Sequence, residues 1–145
     1  MNDSAPAFLT DAARHEEACR ALADKLQLRF VYDPVYYAAS ATVEADEVDR
    51  VSAALGEVLP NRWDSFTLRD AKADVKELIA WAGGLRGAQR LMHGDIGVTT
   101  LFATLWPWTD DDGCTLRVGC WHARAGVADR GPLGELVKGW LVSGS

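Results

Sequence analysis

Residues 96–123, IGVTTLFATLWPWTDDDGCTLRVGCWHA, carry the strongest local signal in the chain. Two runs rich in Val, Thr, Leu and aromatic side chains, Ile96 to Trp106 and Cys114 to Ala123, flank an Asp112-Gly113 pair. Such residues fit the pleated surface of a strand, and Asp-Gly accepts the left-handed backbone of a tight turn, so the stretch reads as a β-hairpin. Strands joined this closely run antiparallel, which argues against an all-parallel sheet.

Outward from the hairpin, helical and extended periods alternate. Asp11 to Leu28 puts Ala18, Leu22 and Leu26 on one helical face, with His15 and Cys19 close by and Thr10 as N-cap. Residues 30–43, FVYDPVYYAASATV, favour one or two strands, interrupted by a turn at Asp33-Pro34. Glu44 to Leu59 returns to helical spacing through Val48, Val51, Leu55 and Val58, with Pro60 beyond its end. RWDSFTLR, 62–69, alternates like a short strand, and Asp70 is placed to cap a helix with the stripe Ala71, Val75, Leu78, Ala82 and Leu85. Gly83-Gly84 weakens that helix, and Leu85 to His93 is read as a second helical piece. After the hairpin, Pro132 at a first helical position, followed by Leu133, Leu136, Val137 and Trp140, marks a closing helix. The order α, one or two β, α, β, α, β, β, α predicts an α+β fold, a mainly antiparallel sheet with helices packed against it. A single domain is expected over 1–145, with about 1–9 as a flexible lead-in.

A chain of 145 residues with 48% hydrophobic and 25% charged side chains has the composition of a globular domain rather than of a disordered one. Its net charge of −6 repels phosphate backbones and anionic membranes, so neither nucleic acid nor membrane is expected as a partner. No stretch reaches the roughly 20 apolar residues of a membrane span. With no basic-then-apolar leader and only three cysteines, the expected setting is cytoplasmic and reducing.

Four groups of residues invite a chemical reading. Cys114 and Cys120 are six positions apart on one face of a strand, about 20 Å at the strand rise, too far for a disulfide or a shared metal. Cys120 and His122 are nearer, and His15 with Cys19 has the helical spacing of a second ligand pair; a metal site would need all four to meet, and buried cysteine is common as a small hydrophobe. No metal or cofactor is expected on this pattern. His93 and Asp95, across Gly94, are the weak candidates for a general acid/base pair. The His-Gly-Asp triplet is similar to the catalytic loop of aminoglycoside phosphotransferases, but position 100 is Thr rather than the metal-binding Asn and no Gly-rich nucleotide loop precedes it.

Gly83 to Gly87 with Arg90 presents glycines and a cation as an anion site would, or else ends a helix. Asp110, Asp111 and Asp112 are contiguous, which is the wrong spacing for a calcium loop. The acidic residues Glu44, Asp46, Glu47 and Asp49, together with Trp106, Trp108 and Asp110 to Asp112 at the hairpin tip, make the candidate partner surface. Together these readings favour a small acidic protein acting by protein contact, a neutralising, immunity-like partner of a basic nuclease or toxin. The alternatives are a small hydrolase or transferase using His93/Asp95 or His122, and a structural homo-oligomer such as a homodimer.

Overall fold

The expected hairpin lies inside a six-stranded sheet in which every pair of neighbours is antiparallel. The computed structural model describes residues 7–108, 112–123 and 127–142, with side chains at all of these except 7 and 127–129. In chain order its elements are α1 (Ala7–Ala12), a 3-10 turn, α2 (Glu16–Leu26), β1 (Val31–Asp33), β2 (Ala38–Glu44), a second 3-10 turn and α3 (Val48–Val58). There follow β3 (Asn61–Asp64), α4 (Ala73–Trp81), β4 (Arg90–His93), β5 (Thr99–Pro107), β6 (Gly113–His122) and α5 (Val127–Leu141). The spatial order is β1-β2-β6-β5-β4-β3, so the two long hairpin strands form the centre and short strands, β1 and β3, form the edges. This is an α+β fold with a mainly antiparallel sheet, as the alternation of periods indicates.

Strand periodicity sorts the sheet into two unlike faces. On the inner face Ala39, Ala41 and Val43 of β2, Leu101, Ala103 and Leu105 of β5, and Cys114, Leu116, Val118 and Cys120 of β6 form one apolar core. Leu22 and Leu26 of α2, Val51 and Leu55 of α3, and Leu133, Val137 and Leu141 of α5 close over it. The outer face is covered in part by α4, whose Val75, Leu78 and Ile79 pack on Leu91, Phe102 and Trp121, with Ala71, Ala82 and Leu85 from the segments flanking it. Beyond α4 the outer face carries Ser40, Thr104, Trp106, Thr115 and Arg117 instead.

Several local expectations are corrected. The first helix starts at Ala7, so Thr10 lies within it and caps nothing; of the lead-in read at 1–9, residues 7–9 open α1 and 1–6 lie outside the described residues. The strand read over 62–69 stops at Asp64, because the Asp64 carboxylate accepts the amides of Phe66 and Thr67 and turns the chain, leaving Phe66 exposed. Asp70 sits in a 3-10 turn, and α4 begins at Ala73 with no side-chain cap. Residues 90–93 form a strand rather than helix: Gly83, Gly84 and Gly87 all take positive φ, which ends the helix, and Leu91 and Met92 then alternate into the two cores. Pro132 is inside α5, not at its first position, because that helix begins at Val127.

Candidate functional site

The sheet register assembles an arginine–aromatic cleft on the uncovered part of the outer face. Phe102 of β5 is paired with Gly119 of β6, and Thr104 with Arg117, so these residues lie side by side on the cleft floor. Gly119 is required there: a Cβ at that position would sit 2.9 Å from the Phe102 ring, which instead lies across the glycine. Trp81 and Ala82 at the end of α4 make one wall and residues 35–37 of the β1–β2 turn the opposite one, while Arg130 of α5 also lines the space, about 50 Å³ in volume.

Each wall has a local cause in the sequence. After Ala82 the amide of Gly83 bonds to the Ala80 carbonyl and that of Gly84 to the Ile79 carbonyl, the paired bonds of a Schellman C-cap with glycine at φ 110°. The same glycine admits the Trp106 ring, which would be 2.7 Å from a Cβ. On the other wall one Asp33 oxygen accepts the amides of Val35 and Tyr36, an Asx turn that fixes the bend read at Asp33-Pro34. The second Asp33 oxygen accepts Arg117 Nε at 3.2 Å.

Arg117 therefore lies in a corner of aromatic rings, its Cζ 4.2 Å from the centre of Tyr36 and 4.8 Å from that of Trp106, the two rings being perpendicular. Arg130 lies over Trp81 at 5.5 Å, and Trp81 stands edge-on to Phe102. Among the described residues, four buried side-chain polar atoms lack a hydrogen-bond partner: Trp81 Nε1, Trp106 Nε1, Arg117 Nη1 and Arg130 Nε. All four are donors. Three belong to side chains lining this cleft, and the fourth belongs to the ring stacked on Arg117. Buried donors are seldom left unpaired, because each costs roughly 1–3 kcal/mol, so four of them close together set this part of the outer face apart from the rest of the described structure.

The surface read from sequence takes a different form. The β2–β6 register sets Glu44 opposite Gly113, and the amide of Ala45 bonds to the Asp112 carbonyl, so the acidic start of α3 and the hairpin end share one end of the sheet. Glu44, Asp46, Asp49 and Asp112 are exposed there. Glu47 instead pairs with Arg50, whose guanidinium also donates to the Lys25 and Leu26 carbonyls at the end of α2. Trp108 folds back onto Gly113 and donates from Nε1 to Thr115 Oγ1 at 3.0 Å, with about a third of its surface exposed. Trp106 is not at the tip at all but lies on the outer face, its ring against Gly83, Tyr36 and Arg117. Asp110 and Asp111 lie outside the described residues.

The histidines and cysteines are placed as follows. His93 is buried; its Nε2 accepts the Trp63 indole N–H at 3.0 Å, so Nδ1 is the nitrogen that donates, to the Gly94 carbonyl. Both ring nitrogens are thus engaged in hydrogen bonds. Asp95 lines the same depression but is exposed and makes no hydrogen bond to the ring.

On the inner face the Thr99 hydroxyl and amide donate to Asp11 at 2.6 and 2.9 Å, and His15 Nε2 meets the same hydroxyl and the Thr99 carbonyl. The hydrogen bonds from Thr99 hold the Asp11 carboxyl below its usual range, and burial holds the His15 imidazole below its own. Burial pushes the thiols of Cys19 and Cys120 up to about 12, and Cys120 is close enough to Cys19 to oppose its ionisation. So His15 and Cys120 both meet Thr99, with Cys19 near Cys120, and the His122 ring lies tilted against that of Phe8 with centres 5.0 Å apart. No group of three His, Cys, Asp or Glu residues suited to a metal occurs among the described residues, and all three cysteines are free. No helix there is long and apolar enough to cross a membrane.

The glycine run does not form the anion site that its sequence suggests: Gly83 ends α4 and Arg90 belongs to β4. Sequence reasoning missed the cleft, whose one signal was Arg117 alone among apolar residues in CTLRVGCW. Comparison with known proteins finds no matching family model, no matching curated protein and no matching solved structure.

Proposed function

We propose that this protein is a binding protein that holds an anionic group in the cleft between α4 and the β1–β2 turn. One observation carries the reading: three side chains lining a single small space, Trp81, Arg117 and Arg130, each hold a buried donor without a partner in the protein, two of them on guanidiniums. An anion entering it would accept charge-assisted hydrogen bonds that are stronger than neutral ones. Calorimetric titration with benzoate, benzenesulfonate and phenyl phosphate tests this. Binding of at least one, weakened in Arg130→Met, is the expected result; no heat with any of the three sinks the reading.

A second reading keeps the contact function inferred from composition: the acidic end docks a basic protein, as a neutralising partner of a toxin or nuclease would. It is favoured by the meeting of Glu44 and Asp46 with Asp112 beside the half-exposed Trp108, residues from segments far apart in sequence. The steering field of such a patch is screened by salt. Association with a basic partner should therefore slow as salt rises and slow further in the Glu44→Gln/Asp46→Asn variant. A rate indifferent to both, or elution as a simple homodimer with no other partner, rules it out.

A further inference from the structure

We infer that the group held in this cleft is a monoanionic carboxylate on a flat apolar body; this rests on the anion-binding reading above and narrows it. Three features point the same way. The first is charge. Among the described residues, the guanidiniums of Arg117 and Arg130 are opposed by one bonded carboxylate, Asp33 on Arg117, which leaves one net positive charge for the ligand to neutralise. A dianion would keep a surplus charge in a half-enclosed site on a protein of net charge −6, where desolvating it is costly.

The second feature is shape. A guanidinium is a planar fork that matches the two oxygens of a carboxylate. Because Arg117 Nε is already committed to Asp33 and its plane is held by the Tyr36 and Trp106 rings, what it still offers is its Nη edge. The third is size. At roughly 10–15 Å³ for each water-sized occupant, the volume of about 50 Å³ admits roughly four non-hydrogen atoms, a carboxylate and the carbon that bears it. The rest of the ligand would lie at the mouth, against exposed Val35 and the aromatic edges of Tyr36 and Trp81. Val35 and those ring edges are apolar, so a flat apolar body fits the mouth.

Two sources share this chemistry, a free aromatic acid and the C-terminal carboxylate of a peptide ending in an aromatic residue. Titration of the intact protein with benzoate, phenylacetate, benzyl alcohol, phenyl phosphate and an N-acetylated tripeptide ending in Phe, followed by tryptophan fluorescence, separates them. Benzoate or phenylacetate should bind with a dissociation constant of about 1 mM or tighter, as suits so small a ligand. Each should bind about tenfold tighter than phenyl phosphate, and neutral benzyl alcohol should not bind. Tighter binding of the tripeptide would place the carboxylate on a chain end and supports the same inference.

Arg130→Met should weaken the carboxylates about tenfold while the thermal midpoint holds, and Arg130→Lys, which keeps the charge but not the fork, should fall between. Phenyl phosphate binding more tightly than benzoate overturns the carboxylate while leaving an anion site; equal binding of benzyl alcohol overturns both. Should Arg130→Met melt early, a benzoate-induced shift of the Arg117 and Arg130 side-chain resonances in the wild-type protein decides between the same outcomes, its absence counting against the carboxylate.

Discussion

The two faces of the sheet are built from alternate residues of the same strands, yet they end in opposite states. On the inner face the polar groups that are buried, Thr99 and His15, have partners in Asp11, Arg14 and each other. On the outer face, beyond α4, buried donors are left without partners. The inner face shows what the chain does when stability alone sets the terms, and the outer face shows a departure from it at a cost of roughly 1–3 kcal/mol per orphaned donor. Such departures are expected where a fold keeps a place for something else.

The largest expected effect falls on the closed face. Leu116 is wholly buried in the inner core, so Leu116→Ala should lower unfolding free energy by about 2–5 kcal/mol in urea denaturation. The same variant should expose Cys19 and Cys120 to a thiol reagent that reaches them slowly in the native protein, where burial holds both as thiols. Comparable labelling rates in native and urea-unfolded wild-type protein would contradict that burial.

Gly83→Ala strikes the outer face where α4 ends. It forces a side chain into positive φ and against Trp106, and should cost about 1–2 kcal/mol from backbone strain while shifting tryptophan emission. An unchanged spectrum would mean that the Trp106 ring is not held under α4.

A smaller effect is set by pH on the inner face. The His15 pKa is lowered in the folded state from its ordinary 6.5, so the unfolded chain binds the extra proton first and stability falls as pH drops below 6.5. Asp11, also lowered, adds its loss only at more acid pH, from around its ordinary 3.8 downward. His15→Gln should flatten the fall between pH 6.5 and the carboxylate range, as measured by urea midpoints; a slope that survives the substitution would place it elsewhere.

Smallest of all is Arg130→Met. It gives up a cation–π contact of about 0.5–1 kcal/mol but removes a buried orphan donor, so stability should hold or rise by up to about 1 kcal/mol. A clear loss would show that Arg130 is part of the scaffold and would narrow the contrast between the faces.

The same contrast explains what could be read from the residues. The inner face was legible because one rule governs it: period two through Cys114, Leu116, Val118 and Cys120, and helical period through Val51 and Leu55. The Asp33-Pro34 turn was legible from turn chemistry that acts over a few residues, and the central hairpin from its two β-rich runs; the tight Asp112-Gly113 turn was not found, since Gly113 is the first residue of β6 and takes no positive φ. β4 was hidden because RLMH is short and follows three positive-φ glycines that end a helix without announcing a strand. The cleft was hidden for a different reason. Arg117, Trp81, Tyr36 and Arg130 come from four separate elements or turns, and only the register that sets Thr104 beside Arg117 and Phe102 beside Gly119 brings their surroundings together. Trp106 was misjudged as a tip residue because its distance from the turn along the chain says nothing of the space that Gly83 leaves for its ring.

The edges of the sheet carry one more consequence. β1 has three residues and β3 four, so each presents few unpaired backbone groups to a neighbouring molecule. Short edges are a common guard against strand-by-strand polymerisation. Here they also restrict how the protein can associate at all: recognition by added strands is discouraged, and attachment is left to side chains, at the cleft or at the acidic end.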